Sequence, residues 1–313
     1  NNEANCTEHV IVANEADRKR WFGEETWKDK VFDRWKLDDP CWVEFDNNVI
    51  SAMSSRVSPQ DLLALPMGKS HEQIANAFPN ILSFESGIGY ESIIPEGLHV
   101  FESQAWMHNR YGAYGIVDGR FYDVVIPNAF DPDDFHFQEQ KEDYLLFLGR
   151  HTQRKGLEII EEIAKHHKVI TAGQGDLRIP GAEYVGIVQG EDRASLISNA
   201  RALLAPTIYL EPFGGVVVEA QLSGTVPITT DFGAFTETVE DGVTGFRCHT
   251  LKEFLDAIDN VHEINPFTLR YSAIDKYSLP VVGSQYDTYL KRLNSLYGDG
   301  WYERRIDEPT YSV

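Results

Sequence analysis

Basic residues are scarce in this chain. Only 28 Lys and Arg stand against 49 Asp and Glu, a formal charge of −21, which argues against broad electrostatic binding to nucleic acid or anionic lipid. Long apolar runs are missing as well: none approaches the roughly 20 residues of a membrane span, and no signal-peptide pattern opens the chain. Cysteine is nearly absent. Cys6, Cys41 and Cys248 are odd in number, scattered and without metal-ligand spacing, so the expected setting is a reducing, cytoplasmic one with inert thiols. The sequence begins at Asn1 instead of Met, which leaves a segment upstream of Asn1 an open question. What remains is ordinary for a globular protein: 42% hydrophobic and 25% charged residues over 313 positions, enough for two α/β domains with cores of their own.

The second half carries the clearer pattern. Tyr144-Leu-Leu-Phe-Leu-Gly149, Lys168-Val-Ile-Thr-Ala-Gly173, residues 202–205 and Val226-Pro-Ile-Thr-Thr230 read as short buried strands. Helical stretches are predicted between them at 157–164, 192–200, 215–223 and 234–240, with a further helix capped by Thr250. Strands alternating with helices imply a doubly wound parallel sheet whose ligands sit off the carboxyl ends of the strands. The first half is less regular. Residues 9–13, 81–84, 99–101 and 123–128 are strand candidates, and 15–35, 61–78 and 104–111 are helix candidates. The expected domains are residues 1–132 and 140–276, joined by the acidic, proline-containing stretch 131–142. Residues 277–313 are expected to be terminal helices crossing back, with Trp301 and Tyr302 at that seam.

The most informative stretch is Thr207-Ile-Tyr-Leu-Glu211-Pro-Phe213-Gly214-Gly215-Val-Val-Val-Glu219. Two carboxylates flank a Gly-Gly pair that opens an apolar helix, and a helix start reached through a loop from a strand presents backbone N–H groups to a phosphate. Arg150 and Lys155 follow the strand at 144–149. An Arg can chelate a phosphate through parallel N–H bonds, and a Lys adds a mobile point charge. With the N–H groups of Gly214 and Gly215 they can take the place of a divalent metal, and no metal site is expected. Asp131-Pro-Asp133 resembles a metal-binding Asp-x-Asp pair but sits in the linker, where it reads as a turn and cap. Ala172-Gly-Gln-Gly175 lacks the third glycine of a dinucleotide fingerprint, so a dehydrogenase is not expected.

Taken in order, Gly149-Arg150 with Lys155-Gly156, Ala172-Gly173-x-Gly175, Tyr184-Val-Gly186, Pro206, the Glu211/Glu219 pair, Gly224-x-x-Pro227 and Glu240-Asp-Gly-x-x-Gly245 resemble the donor domain of retaining GT-B glycosyltransferases of family 4. The resemblance covers about residues 144–260. It implies a GT-B fold, two Rossmann-like doubly wound domains facing a central cleft, here with the amino-terminal one reduced or truncated. It implies a sugar transfer from a UDP- or GDP-linked donor, with retention of configuration and no cofactor beyond that donor. By the same resemblance Glu219 holds ribose, Glu211 contacts the donor sugar, and Arg150 and Lys155 bind the diphosphate. Phe213, Gly214 and Gly215 line the donor, and Gly186 and Ile187 lie beside the base.

The glycine-rich loop that many members carry after the first strand has no counterpart here. Glu85 and His108 are the acceptor-side catalytic candidates, and each also has a plain reading, as a turn residue and as a packed helical histidine. No second carboxylate is evident beside Glu211, which favours front-face attack over a covalent intermediate. The acceptor is expected to be a glycan, a lipid or a small molecule. A non-catalytic nucleotide-sugar-binding protein and a transferase acting on modified DNA bases are the alternatives, with the acidic balance counting against the second.

Overall fold

The structure is a computed structural model that describes residues 6, 8–24 and 39–297. It divides into two compact units, Asn1–His99 with Leu290–Val313, and Val100–Tyr289.

In the first unit, helix α1 (Glu15–Phe22) starts at a capping box in which Asn14 and Asp17 bond each other's backbone N–H. The strand expected at 9–13 is not formed; the chain there is irregular and leads into that cap. The long helix expected at 15–35 stops at Phe22, where Gly23 at φ +90° caps it and donates to the Lys19 carbonyl; residues 25–35 lie outside the described residues. Helix α2 (Pro40–Met53) begins with Pro at its first position, where the missing N–H costs nothing. The helix expected at 61–78 is instead strand β1 (Leu62–Leu65), a turn, and helix α3 (Glu72–Ala77). The run Leu62-Leu-Ala-Leu65 forms a strand because it finds a parallel partner in β2 (Leu82–Ile88), in register from Leu62 opposite Leu82 to Leu65 opposite Glu85. Pairing overrides local propensity at this point.

Strand β3 (Leu98–Phe101) runs into the second unit. Helix α4 (Gln104–Tyr114) and strand β4 (Val124–Val125) follow it, with Val100 opposite Val124 and Phe101 opposite Val125 in parallel. The boundary expected at 132–140 therefore falls inside this unit, which takes in β3, α4 and β4.

The rest of the second unit is an alternating α/β layer structure. Its elements are β5 (Leu145–Leu148), α5 (Leu157–Ala164), β6 (Val169–Ala172), β7 (Glu183–Tyr184), α6 (Gly190–Asn199), β8 (Ala202–Ala205), α7 (Gly215–Leu222), β9 (Val226–Thr230), α8 (Phe235–Thr238), β10 (Phe246–Cys248) and α9 (Leu251–Asn260). The six strands form one sheet in the order β10-β9-β8-β5-β6-β7, every pair parallel. Central parallel strands are covered on both faces, and β5, β6 and β8 are buried at every position. Alternation splits their side chains between two cores. Leu145, Phe147 and Leu204 pack with Ile160 of α5 and Phe254 of α9. Leu146, Leu148 and Leu203 pack with Ile197 of α6 and Val217 of α7.

The chain order reverses between β5 and β8, so the loops leaving these two strands diverge and open a crevice at their carboxyl ends. Two helices end the described chain: α10 (Pro266–Tyr277), begun by Asn265 and Pro266, and α11 (Leu279–Asn294). The positions of Trp301 and Tyr302 lie outside the described residues.

Lys141 ties the linker to this unit. Its ammonium donates to the carbonyls of Ser198 and Ser223 at 2.7 and 3.1 Å and to Thr225 Oγ1 at 3.0 Å. No carboxylate compensates the burial, which lowers its pKa from 10.5 to about 7. In the window between those values the folded protein binds fewer protons than the unfolded chain, so stability from this group rises with pH. Denaturant unfolding of the wild type should therefore gain a stabilising slope between pH 7 and 9 that is absent in Lys141→Met.

Candidate functional site

The loops after β5 and β8 are locked to one another. After β5 the chain passes Gly149 and Arg150, makes a 3-10 turn over Gln153–Lys155, and enters α5 through Gly156. Gly156 has φ +75°, and a Cβ there would lie 2.0 Å from the carbonyl oxygen of Pro206, the first residue after β8. No side chain fits. The Ile208 N–H donates to the Arg154 carbonyl at 3.0 Å, and the guanidinium of Arg154 sits 4.4 Å from the centre of the Tyr209 ring.

The loop after β8 then delivers Glu211 to Lys155, Nζ to Oε2 at 2.6 Å, with side chains only 17% and 12% exposed. A third loop braces this arrangement: the Ala234 N–H donates to the Glu211 carbonyl at 3.1 Å and Thr230 Oγ1 donates to the Thr207 carbonyl at 2.6 Å. Gly214 caps α7 in the left-handed region at φ +79°, where a Cβ would meet the Phe235 ring at 2.5 Å. The start of α7 at Gly215 thus stands at the same crevice, with its unpaired N–H groups and positive dipole end.

Glu219, the fifth residue of α7, is held by Arg193 of α6, whose Nε donates to Oε2 at 3.0 Å. Arg193 was not singled out by sequence; an Arg in the first turn of α6 reads as a surface charge until the fold sets α6 beside α7. Arg150 is exposed directly after β5. The Phe213 ring is core, 3% exposed, stacked with Phe130 and edge-on to Tyr277, so only its backbone is available to a donor. Gly186 and Ile187 follow β7, with Gly186 accepting from the Gly173 N–H and Ile187 63% exposed. Beside them Tyr184 donates to the Gly173 carbonyl and lies under the Arg178 guanidinium at 3.8 Å.

The two acceptor-side candidates are not brought to this crevice by any observed contact. Glu85 is 1% exposed and spends its carboxylate on its own unit: it accepts from Tyr90 Oη at 2.7 Å and from the Ile94 N–H, with His99 Nε2 at 3.6 Å. That is the work of a loop fastener, and burial removes it from any substrate. His108 is exposed, on a helix that buries Trp106 and Tyr111. Asp131 accepts from the Asp133 N–H and caps a 3-10 turn, and among the described residues no three metal-ligating side chains cluster.

A carboxylate that sequence reasoning passed over does approach the site. Glu102 directly follows β3, between buried Phe101 and buried Ser103. Ser103 Oγ donates to the Pro212 carbonyl at 2.6 Å and accepts from the Trp106 N–H at 3.0 Å, capping α4. The Glu237 carboxylate of α8 accepts the next two N–H groups, those of Gln104 and Ala105, at 2.8 Å each. These bonds pin the end of β3 to the residue after Glu211. Burial raises the Glu102 pKa, the negative charge of Glu211 adds to that rise, and a hydrogen bond with Asn128 opposes it. Glu102 comes from just after a strand over 100 residues earlier, a placement no local pattern reveals.

Comparison with known proteins agrees with this geometry. Residues 142–263 match the family described as Glycosyl transferases group 1. This segment is similar to a group 1 glycosyltransferase domain, and the fold of the chain is that of the GT-B glycosyltransferase structures named below. An uncharacterized glycosyltransferase of Methanocaldococcus jannaschii is 30% identical over 125 residues, 34% of this chain and 32% of that protein. The phosphatidyl-myo-inositol mannosyltransferase of Mycobacterium tuberculosis is 30% identical over 145 residues, 39% of this chain and 38% of that protein. The matched segment thus spans about a third of the length of these relatives. Among solved structures, AviGT4, a glycosyltransferase involved in avilamycin A biosynthesis, superposes with a TM-score of 0.63 at 23% identity, covering 80% of this chain and 79% of that one. Anabaena HepE in complex with UDP-glucose gives 0.65 at 17% identity, covering 79% and 82%. No helix among the described residues is long and apolar enough to cross a membrane.

Ser103 is the joint between α4 and the Glu211 loop. Ser103→Ala removes a helix cap and leaves the Pro212 carbonyl unpaired in a buried site, and the expected loss is about 1–2 kcal/mol in denaturant unfolding.

Proposed function

We propose that this protein transfers a sugar from a nucleotide-diphospho-sugar to a glycan, lipid or small-molecule acceptor with retention of anomeric configuration. The observation that carries the reading is the meeting of Lys155 and Glu211 across the two loops of the switch point, at the start of α7. A diphosphate laid over that helix start meets backbone N–H groups, the Lys155 ammonium and the exposed Arg150 guanidinium. Charge developing on the leaving diphosphate is then stabilised by groups already in place. Glu211, held by Lys155, is the carboxylate for the transferred sugar. Glu219, steadied by Arg193, accepts the ribose hydroxyls. Gly186 and Ile187 take the base, and UDP- or GDP-linked sugars are the donors. HepE with bound UDP-glucose and the mannosyltransferase relative support a donor of this class. Free Cys6, Cys41 and Cys248 are in keeping with a reducing, cytoplasmic setting.

A thermal-shift screen across UDP- and GDP-sugars tests the reading, since a ligand that binds only the folded protein raises its melting temperature. Glu219→Ala should weaken nucleotide binding about tenfold or more, the cost of a lost charge-assisted hydrogen bond. Glu211→Ala should cut turnover by about 10²–10³ while changing donor affinity less. Donor binding without turnover against a broad acceptor panel would instead favour a non-catalytic nucleotide-sugar-binding protein, and full transfer by Glu211→Ala would remove its assigned role.

A further inference from the structure

A nucleoside diphosphate carries its ribose between base and phosphates, and one ion pair links the two helices that begin at those ends of the site. Arg193 is in the first turn of α6, the helix that begins at Gly190, shortly after Gly186 and Ile187. Glu219 is in α7, the helix whose start at Gly215 stands at the crevice. Ile197 of α6 and Val217 of α7 share a core. Val218 and Ala220, on either side of Glu219, are fully buried, so the helix cannot turn to carry the carboxylate elsewhere. The pair itself is one-sided. Nε and Nη2 of Arg193 both donate to Oε2 of Glu219, Nε at 3.0 Å, while Oε1 accepts from no group among the described residues. The Glu219 side chain is only 16% exposed and that of Arg193 33%. A plain surface ion pair accounts for the bonds to Oε2. It does not account for a largely buried carboxylate whose second oxygen, with room for donors of its own, is left open.

We propose that Arg193 is a specificity-determining residue: acting through Glu219, it makes the site select ribonucleoside over 2′-deoxyribonucleoside diphosphates. This rests on the reading of Glu219 as the group that accepts the ribose hydroxyls. By holding Oε2, the guanidinium fixes Oε1 as the oxygen open to the ribose and stops the carboxylate from swinging out to water. An arriving ribose donates its 2′-hydroxyl to Oε1, and the charge is satisfied. A deoxyribose strips water from the same oxygen and offers nothing in return. Leaving a charged acceptor unpaired costs more than losing a neutral hydrogen bond, which is how a site built for a hydroxyl rejects the analogue without it. A carboxylate free to rotate would escape that cost by returning to solvent, and the discrimination would fade. Arg193 removes the escape. Two N–H groups of a rigid guanidinium on one oxygen fix it more firmly than the point charge of a Lys on its flexible stem.

The test titrates UDP, GDP and their 2′-deoxy counterparts into wild type, Arg193→Gln and Arg193→Lys by calorimetry, with melting temperatures measured in parallel. Whichever ribonucleotide wild type binds should bind about 30-fold or more tightly than its deoxy counterpart, the worth of a hydrogen bond to a charged group. In Arg193→Gln that ratio should shrink to about threefold or less, because the ribonucleotide binds more weakly while the deoxynucleotide binds as in wild type or better. Arg193→Lys should keep an intermediate ratio, and it carries the test if Arg193→Gln melts too low to titrate. A wild-type ratio below about threefold overturns the proposal, since no discrimination would then need a residue to enforce it. Arg193→Gln that weakens both nucleotides equally and keeps the ratio overturns it as well, and would make Arg193 a phosphate-binding or fold-stabilising group. Wild-type protein that binds neither UDP nor GDP overturns the nucleotide-sugar reading itself, a result told apart from the others before any variant is made.

Discussion

Two loops that leave adjacent parallel strands, at the point where the strand order of the sheet reverses, are welded together at their bases, and everything at the site depends on that weld. Gly156 lies so close to Pro206 that a single methyl group would separate them. The Arg154 carbonyl, the Ile208 N–H and the Lys155–Glu211 pair continue the contact outward. A switch point in a parallel sheet ordinarily opens a crevice and leaves its rims free to drift. Here the rims are held, so the ammonium, the carboxylate and the start of α7 keep one geometry. Preorganisation of this kind is what lets fixed charges stabilise a transition state without first rearranging.

The bracing extends beyond the donor loops. Ser103 and Glu237 attach the start of α4 to the Glu211 loop and to α8, which carries Glu102 into the electrostatic neighbourhood of Glu211. Burial raises the Glu102 pKa, and its hydrogen bond with Asn128 opposes that rise. The buried Glu85 of β2 stands 3.6 Å from His99 of β3 and accepts from Tyr90 and from the Ile94 N–H.

The donor half was legible in the sequence because its signals are local. Apolar runs ending in glycine marked β5 and β6, the Gly214-Gly215 pair marked the start of α7, and the spacing from Gly149 to Lys155 placed two cations on one loop. Each depends on neighbours within a few residues. The errors arose where distant residues decide. Leu62-Leu-Ala-Leu65 is a strand only because β2 lies beside it, and the expected strand at 9–13 had no such partner among the described residues. Phe213 looked like a donor contact from its position but is drawn into the core by Phe130 and Tyr277. Arg193 and Glu102 were missed because each acquires its partner from a separate element, 26 and 109 residues away for the side-chain bonds to Glu219 and from Ser103 to Pro212.

The central claim is that the welded loops form a diphosphate site with Lys155 at its centre. Calorimetric titration of UDP and GDP into wild type and Lys155→Met measures it most directly. A charge-assisted hydrogen bond of about 1.5–3 kcal/mol predicts a 10- to 100-fold loss of affinity for the nucleoside diphosphate that wild type binds, on a fold of unchanged stability curve shape. Equal affinity in the two proteins, for whichever nucleotide binds, would place the phosphates elsewhere and contradict the account.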